Sequence, residues 1–349
     1  MNEKTDLLSL TPQELEEFFK ALGEPPYRAK QLFSSLHRGL AISEITTLSK
    51  ALREKLCECA TAELPHQKLR LDSAVDGTKK YLFEFADGQT AESVLMKYHH
   101  GNTVCISTQA GCRQGCAFCA STKRGLVRNL APSEMLGQIL AIERDTKERV
   151  DGIVLMGTGE PLDNYDNVIK FLRIVTHKDG LCIGQRHISL STCGLVDRIA
   201  DLEKEDLNIT LSISLHAIDD ETRSKIMPIN RKWNVDTLLL AALHYFEVTK
   251  RRISFEYTLI SGVNDTEEHA RNIVKKFRFI FGGKMPLHIN LIPVNPIDEA
   301  SFDASSKSRI KNFCRVLEAG HIVATVRRTL GADINASCGQ LRNRADEQK

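Results

Sequence analysis

The chain has no apolar run of 18 residues and no basic, hydrophobic leader ending in small residues, so neither a membrane span nor secretion is expected. It also lacks a charge excess. A net charge of +2 over 349 residues neither demands RNA nor excludes it, because a nucleic-acid binder concentrates its charge locally. No internal repeat, low-complexity tract or long linker interrupts the sequence. What is present is a hydrophobic content of 42% and ten cysteines. The length suits one large domain plus a small one, with a core that needs no staples. Without a leader, the expected compartment is a reducing cytoplasm, where clustered thiols read as metal ligands or catalytic groups.

Three of those thiols stand together. Cys112, Cys116 and Cys119 follow the strand-like segment Asn102 to Thr108 at C-x3-C-x2-C spacing. A [4Fe-4S] cluster is normally held by four thiolates, so a loop that supplies three leaves one iron free. S-adenosylmethionine completes such a coordination through its amino and carboxylate groups, and an electron from the cluster splits its sulfonium into a carbon radical. The alternative is a structural zinc site with a histidine or a distant thiol as fourth ligand. Against it, the sequence has no second C-x2-C knuckle, and it also lacks the fourth cysteine and proline of the two-cluster ferredoxin run.

The remaining pattern predicts an α/β chain. Residues 1–64 read as a small helical unit and an RNA-contact candidate. Thr11-Pro12-Gln13-Glu14 forms a capping box, with Leu15, Phe18, Phe19 and Leu22 at helical spacing. Further helices are expected over Arg28 to Leu36 and Ser49 to Cys59. Residues 65–100 read as a bridging β segment, with turns at Asp76-Gly77 and Asp87-Gly88. From 101 to 349, strands alternate with amphipathic helices: Thr103 to Thr108, Gly152 to Met156, His187 to Leu190, Asn208 to Ser214, Ile253 to Leu259 and Leu287 to Ile292, with a seventh at Ile322 to Val326. That alternation predicts a partial (βα)6 barrel whose active-site loops follow the strand C-terminal ends.

Candidate site residues sit after those strands. Gly157-Thr158-Gly159-Glu160-Pro161 lets backbone approach a ligand and offers a carboxylate to an ammonium group. Ser191, Ser214, His216 and Asn295 occupy similar positions, although each residue type also serves structural roles there. Cys105 and Cys338 fall outside the cluster spacing. The reading of a free cysteine as a small buried hydrophobe suits Cys57, Cys59, Cys182, Cys193 and Cys314. Local basic groups (Lys123, Arg124 and Arg128; Arg231 and Lys232; Lys250 to Arg252; Lys275, Lys276 and Arg278; Arg327 and Arg328) suit phosphates or solvated faces equally.

Seven separated motifs together resemble one family. They are the cysteine run, Gly125 to Leu130, Gly157 to Pro161, Ser212 to Ala217, Met227 to Asn230, Asn290 to Pro296 and the Cys-Gly-Gln-Leu ending at Cys338. In this order they are similar to the radical S-adenosylmethionine RNA methyltransferases that modify adenine C2 in 23S rRNA (adenine-2503 type) and in some tRNAs (adenine-37 type). Small departures are Thr158, where methionine is frequent, Cys193, at a variable place after Ser191-Thr192, and Asn335 and Ser337, where Asp and Ala often precede the reactive cysteine.

The resemblance implies one [4Fe-4S] cluster on Cys112, Cys116 and Cys119. It implies S-adenosylmethionine contacts at Gly159, Glu160, Ser191, Ser214, Leu215, His216 and Asn295, with two such molecules used per turnover. Cys338 is methylated first, and a 5'-deoxyadenosyl radical then removes hydrogen from that methyl group. The carbon radical adds to C2, which links protein and RNA. Glu92 takes the C2 proton, although the sequence alone makes it an ordinary surface glutamate on a strand. Cys105 attacks the sulfur of Cys338, releasing the product and leaving a disulfide. A flavodoxin- or ferredoxin-type electron donor, a monomeric state and a cytoplasmic location are also implied. Two alternatives stand beside this reading: a C8-adenine methyltransferase of the antibiotic-resistance type, and a non-catalytic, metal-stabilised RNA-binding protein.

Overall fold

The computed structural model describes residues 4–295 and 302–336. At the N-terminus, α1 (Pro12–Ala21), α2 (Tyr27–Leu36) and α3 (Lys50–Cys59) form a helical unit, closed by a parallel pairing of β1 (Thr5–Asp6) with β2 (Ala60–Thr61). The expected capping box is present. The Thr11 N–H donates to Glu14 Oε2 at 2.8 Å and the Glu14 N–H donates to Thr11 Oγ1 at 3.3 Å, a device worth about 1 kcal/mol. Leu15 and Phe19 on the opposite face are fully buried and belong to the same contiguous core as the main sheet.

Three antiparallel strands follow, β3 (His66–Asp72), β4 (Lys79–Glu84) and β5 (Thr90–Tyr98). They do not form a separate sheet. β5 pairs antiparallel with β6 (Gly101–Cys105), the first strand of the parallel array, so the bridging segment and the barrel share one ten-stranded sheet. After β6 comes a short antiparallel ribbon, β7 (Gln109–Gly111) with β8 (Leu126–Asn129), which the sequence pattern does not reveal.

The array then runs α4 (Pro132–Thr146), β9 (Gly152–Leu155), α5 (Tyr165–Val175), β10 (Ile188–Thr192), α6 (Val196–Leu202), β11 (Thr210–Ser214), α7 (Asp220–Ile226) and α8 (Val235–Thr249). It ends with β12 (Ile253–Leu259), α9 (Glu267–Phe281), β13 (His288–Pro293), α10 (Lys307–Ala319) and β14 (Val323–Val326). Strand order β6-β9-β10-β11-β12-β13-β14 is sequential and parallel throughout. Each crossover therefore advances one strand in the same direction, the winding that curls a sheet into an incomplete barrel. The expected (βα)6 core is what forms.

Alternation along the strands sets the two faces of the sheet. Phe255 on β12 faces the helices and packs on Phe277 and Phe281 of α9, with ring centroids 4.9 and 5.7 Å apart. Burying each such ring stabilises the fold by about 2 kcal/mol. Its neighbours Ser254 and Glu256 face the lumen, where a closed ring of hydrogen bonds links Glu256, Ser254, His288, Thr325 and Asn290. Most strand boundaries shift by one or two residues from expectation, and the largest difference is that β6 stops at Cys105, not Thr108. Thr108 leaves the ladder to donate its N–H to the carbonyl of Thr158 at 2.9 Å, which ties the end of β6 to the turn after β9. Among the described residues no helix is long and apolar enough to cross a membrane.

Candidate active site

The three cysteines of the spaced run sit at the tip of the β7–β8 ribbon. Gly111, just before Cys112, has φ +78°, and a Cβ there would collide with the carbonyl of Gly125, the same oxygen that accepts the Cys112 N–H at 2.9 Å. Only glycine fits that crossing. The loop is pinned further by Ala117, whose N–H donates to the carbonyl of Ile226 at the end of α7, and by Thr122, whose Oγ1 donates to the carbonyl of Cys119 at 3.0 Å.

Cys112, Cys116 and Cys119 open onto one cavity at the C-terminal end of the parallel strands. Gly159, Glu160, Ser191, Ser214, His216 and Asn295 line it too. Its non-atom space of about 970 Å³, open mouth included, falls in the range of small-molecule sites. Leu215 contributes no surface to that wall. Its side chain is buried, and its carbonyl accepts from Arg223 Nε at 2.9 Å.

Burial shapes the chemistry of each group. It pushes the Cys112 thiol up to about 12 and the Cys116 thiol well above its usual range, so metal binding must displace their protons. Burial also raises the Glu160 carboxyl, although two backbone donors already hold it: Cys193 N–H at 2.7 Å and Leu162 N–H at 3.0 Å. His216 has φ +54°. Its Nδ1 accepts the Thr258 N–H at 2.9 Å and burial takes the ring down to about 3. The imidazole is therefore neutral, with its proton on Nε2.

Three thiols on one wall of a cavity that also presents glycine backbone, a carboxylate and a neutral histidine donor form a set that fits an iron–sulfur cluster with an open iron beside a polar ligand. Among the described residues no three His, Cys, Asp or Glu side chains converge closely enough to hold a single metal ion, as ligands about 2.3 Å from one zinc would have to.

Glu92 and Cys105 lie one step along the sheet. Cys105 is buried against Val94, Met96 and Ala336, with Met156, a cavity-lining residue, packed against the same group. A smaller cavity bridges the two regions. It is lined by Met96 and Ala336 on one side and shares Asn295 and Arg327 with the main cavity on the other. Glu92 is not the surface residue that its sequence context suggests. It is 5% exposed and its carboxylate lies 2.9 Å from Lys80 Nζ. The Ser107 hydroxyl donates to the Glu92 carbonyl at 2.6 Å and accepts the Thr158 N–H at 2.9 Å, joining this strand to the glycine turn. Cys338 and Ser337 lie outside the described residues, as does Pro296.

Several structural partners carried no sequence signal. Arg223, in a run of charged residues, is 1% exposed and donates to the carbonyls of Leu215, Cys193 and Ser214 and to Asn230 Oδ1. Gln109 accepts the Glu160 N–H at 2.8 Å. Cys193, expected to be an inert buried hydrophobe, is buried but lines the cavity beside Glu160. Cys57 and Cys182, expected buried, are exposed, and Cys59 and Cys314 are half-buried. Arg128 is engaged by Asp87 and Glu134, which makes it a brace between β8 and its neighbours.

Comparison with known proteins agrees with this geometry. Residues 106–274 match the Radical SAM superfamily, and residues 5–62 match the ribosomal RNA large subunit methyltransferase N-terminal domain. A relative from Lachnoclostridium phytofermentans, named as a probable dual-specificity RNA methyltransferase RlmN, is 49% identical over 344 residues, 98% of this chain and 95% of its own. One of the same name from Desulforamulus reducens is 48% identical over 349 residues, 99% and 98% of the two chains. The crystal structure of a radical SAM methyltransferase from Sphaerobacter thermophilus matches with a TM-score of 0.91 at 40% identity, over 97% of this chain and 99% of that one.

Proposed function

The chain belongs to the RlmN-type radical S-adenosylmethionine RNA methyltransferases, and on that premise we propose that it methylates C2 of one adenine in 23S rRNA, of the adenine-2503 type, and of one in certain tRNAs, of the adenine-37 type. The observation that carries this reading is the single cavity onto which three spaced thiols and Gly159, Glu160, Ser191, Ser214, His216 and Asn295 all open. Membership of an enzyme family sets aside the non-catalytic RNA-binding alternative.

Cys112, Cys116 and Cys119 would hold the [4Fe-4S] cluster, which with S-adenosylmethionine supplies a 5'-deoxyadenosyl radical. The Glu160 carboxylate, fixed by its two backbone donors, faces the ligand's ammonium group. His216 offers Nε2–H to an acceptor, and Gly159, Ser191, Ser214 and Asn295 complete the S-adenosylmethionine site, while Leu215, which does not line the cavity, supports it from behind through its bond to Arg223. Cys338 accepts a methyl group from one S-adenosylmethionine while a second is consumed as the radical source. Adenine C2 is an electron-poor ring carbon that does not attack a sulfonium, so the methyl carbon must be brought to it on the protein. Once the adduct has given up its unpaired electron, Glu92 takes the C2 proton. Cys105 then attacks the Cys338 sulfur, the sulfur–methylene bond breaks with its electron pair on the carbon, which takes up a proton to become the methyl group, and a disulfide is left. An electron donor of the flavodoxin or ferredoxin class would supply the electron that the radical step needs, and an external reductant restores both thiols. The packing of Cys105 against Ala336, two residues before Cys338, supports this pairing.

The test is anaerobic reconstitution with S-adenosylmethionine, reductant and unmodified 23S rRNA or tRNA, followed by nucleoside mass spectrometry. 2-Methyladenosine is expected. 8-Methyladenosine would select the C8 alternative, and absence of 5'-deoxyadenosine would overturn the radical reading. Cys105→Ala is expected to trap a protein–RNA adduct.

A further inference from the structure

Strands β4 and β5 carry a buried ion pair that the mechanism above leaves without a role. Lys80 Nζ lies 2.9 Å from Glu92 Oε1, and the two side chains are 7% and 6% exposed. Burying both charges is costly, and a buried pair is weak evidence for stability because well-packed apolar residues often do as well. The pair therefore calls for another explanation. Its surroundings supply one. In the sheet register Lys80 stands opposite Val94 and Val94 opposite Cys105, so these three side chains share one face, and Glu92, two residues from Val94, shares it too. The same Lys80 Nζ donates to the carbonyl of Asn335 at 3.1 Å. Asn335 has φ +50° and lies three residues before Cys338. The preceding turn is fastened to the same sheet by Asp333, which accepts from Ser73 Oγ and the Ala74 N–H, and by Gly331, whose N–H donates to Asp76.

We propose that Lys80 is a positioning residue for the methyl transfer: it keeps Glu92 ionised as the acceptor of the C2 proton and tethers the backbone at Asn335, three residues before Cys338 in the sequence. This rests on the reading of Glu92 as proton acceptor and Cys338 as methyl carrier. In the step concerned, the adduct left by radical addition first returns its one unpaired electron to the electron carrier that started the reaction. The C2–H bond then breaks, its electron pair restores the aromatic ring and the proton passes to the Glu92 carboxylate. Lys80 exchanges no proton in this step, and no reagent is needed beyond the one-electron carrier that the reaction already uses. A carboxyl this deeply buried prefers its neutral form unless a cation faces it, and a neutral Glu92 has no site for the proton. Lys80 from β4 faces Glu92 directly, the Cys105 thiol from β6 shares the same sheet face opposite Val94, and the Asn335 carbonyl accepts from Lys80.

The experiment uses full-length, cluster-loaded Lys80→Met, Lys80→Gln and Lys80→Arg, with Glu92→Gln alongside, and follows the protein–RNA adduct on denaturing gels between about pH 6 and pH 8.5. Lys80→Gln keeps a donor for the Asn335 carbonyl but no charge, which separates tether from electrostatics. Lys80→Met and Lys80→Gln are expected to accumulate adduct at the acid end and to resolve it about tenfold faster per pH unit as Glu92 ionises. Lys80→Arg is expected to behave as wild type, and Cys338 methylation, read by mass spectrometry, is expected to persist in all four. Resolution at the wild-type rate throughout the range in both neutral variants, with Glu92→Gln still trapped, would overturn the role of Lys80 alone. If Glu92→Gln itself resolves the adduct normally, the reading of Glu92 falls and the proposal falls with it.

Discussion

Arg223 donates from Nη2 to the backbone carbonyl of Cys193 at 2.8 Å, which fastens α7 to the turn after β10. The same side chain reaches Ser214 and Leu215 at the end of β11 and Asn230 beyond α7. All four partners are neutral oxygens, so this buried cation acts as a rigid fork between two strand ends that line the cavity. Its desolvation shows in the guanidinium, which burial lowers to about 10.

Removing that fork leaves several carbonyls buried without donors, at about 1–3 kcal/mol each. Arg223→Met is therefore expected to destabilise the protein by about 3 kcal/mol or more in urea unfolding. Arg223→Lys is expected to recover little of this loss, because an ammonium cannot reproduce the planar spread of donors. A lysine variant within about 0.5 kcal/mol of wild type, the range of ordinary surface substitutions, would show that the fork geometry does not matter.

Gly111 sits where the two strands of the β7–β8 ribbon cross, at φ +78° with no room for a Cβ against the Gly125 carbonyl. Gly111→Ala is expected to leave the barrel intact by circular dichroism but to displace Cys112, so that anaerobic reconstitution yields well under the roughly four irons per chain of a full cluster. Gly262→Ala is the control, since Gly262 has a similar φ of +74° and open space around it. Equal iron loss in both variants would assign the effect to backbone strain in general rather than to the crossing.

The contrast between Thr11 and Arg223 explains how much of this molecule was legible in advance. A capping box is local chemistry, and Thr11 with Glu14 formed the bonds that their spacing implies. β12 was equally plain, because every residue from Ile253 to Leu259 is buried and the run is rich in strand-forming types. Arg223 was opaque. Its helix, Asp220–Ile226, reads as a solvated charged run, and only the tertiary placement of α7 turns one of those charges inward. The β7–β8 ribbon was missed because three- and four-residue strands carry no period. Glu92 was a nearer miss. It alternates with Val94 and Met96, both buried on the Cys105 face, so the two-residue period pointed inward while residue type pointed outward.

His37 gives the molecule a pH-sensitive seam between the N-terminal helices and the barrel. Its Nδ1 accepts the Leu181 N–H at 3.2 Å and its ring lies 4.1 Å from that of Phe33. The same interface carries the Lys30–Asp179 pair at 3.0 Å and the bond from Ser34 Oγ to the Asp179 carbonyl at 2.7 Å. Burial first, and His177 second, lower the ring from 6.5 to about 4. Between those values the unfolded chain binds a proton that the folded chain refuses, so stability rises with pH across that window. The contribution is complete above about pH 6.5 and is lost as pH falls toward 4, where the folded ring also charges. A shift of this size corresponds to about 3 kcal/mol. Urea unfolding of wild type is therefore expected to weaken by that order between pH 7 and pH 4, from this group alone. His37→Phe removes the titration and is expected to flatten the difference between the two proteins' pH profiles to a constant offset above pH 6.5 and a relative gain for the variant below it. Parallel profiles across the whole range would show that His37 is not held neutral in the seam.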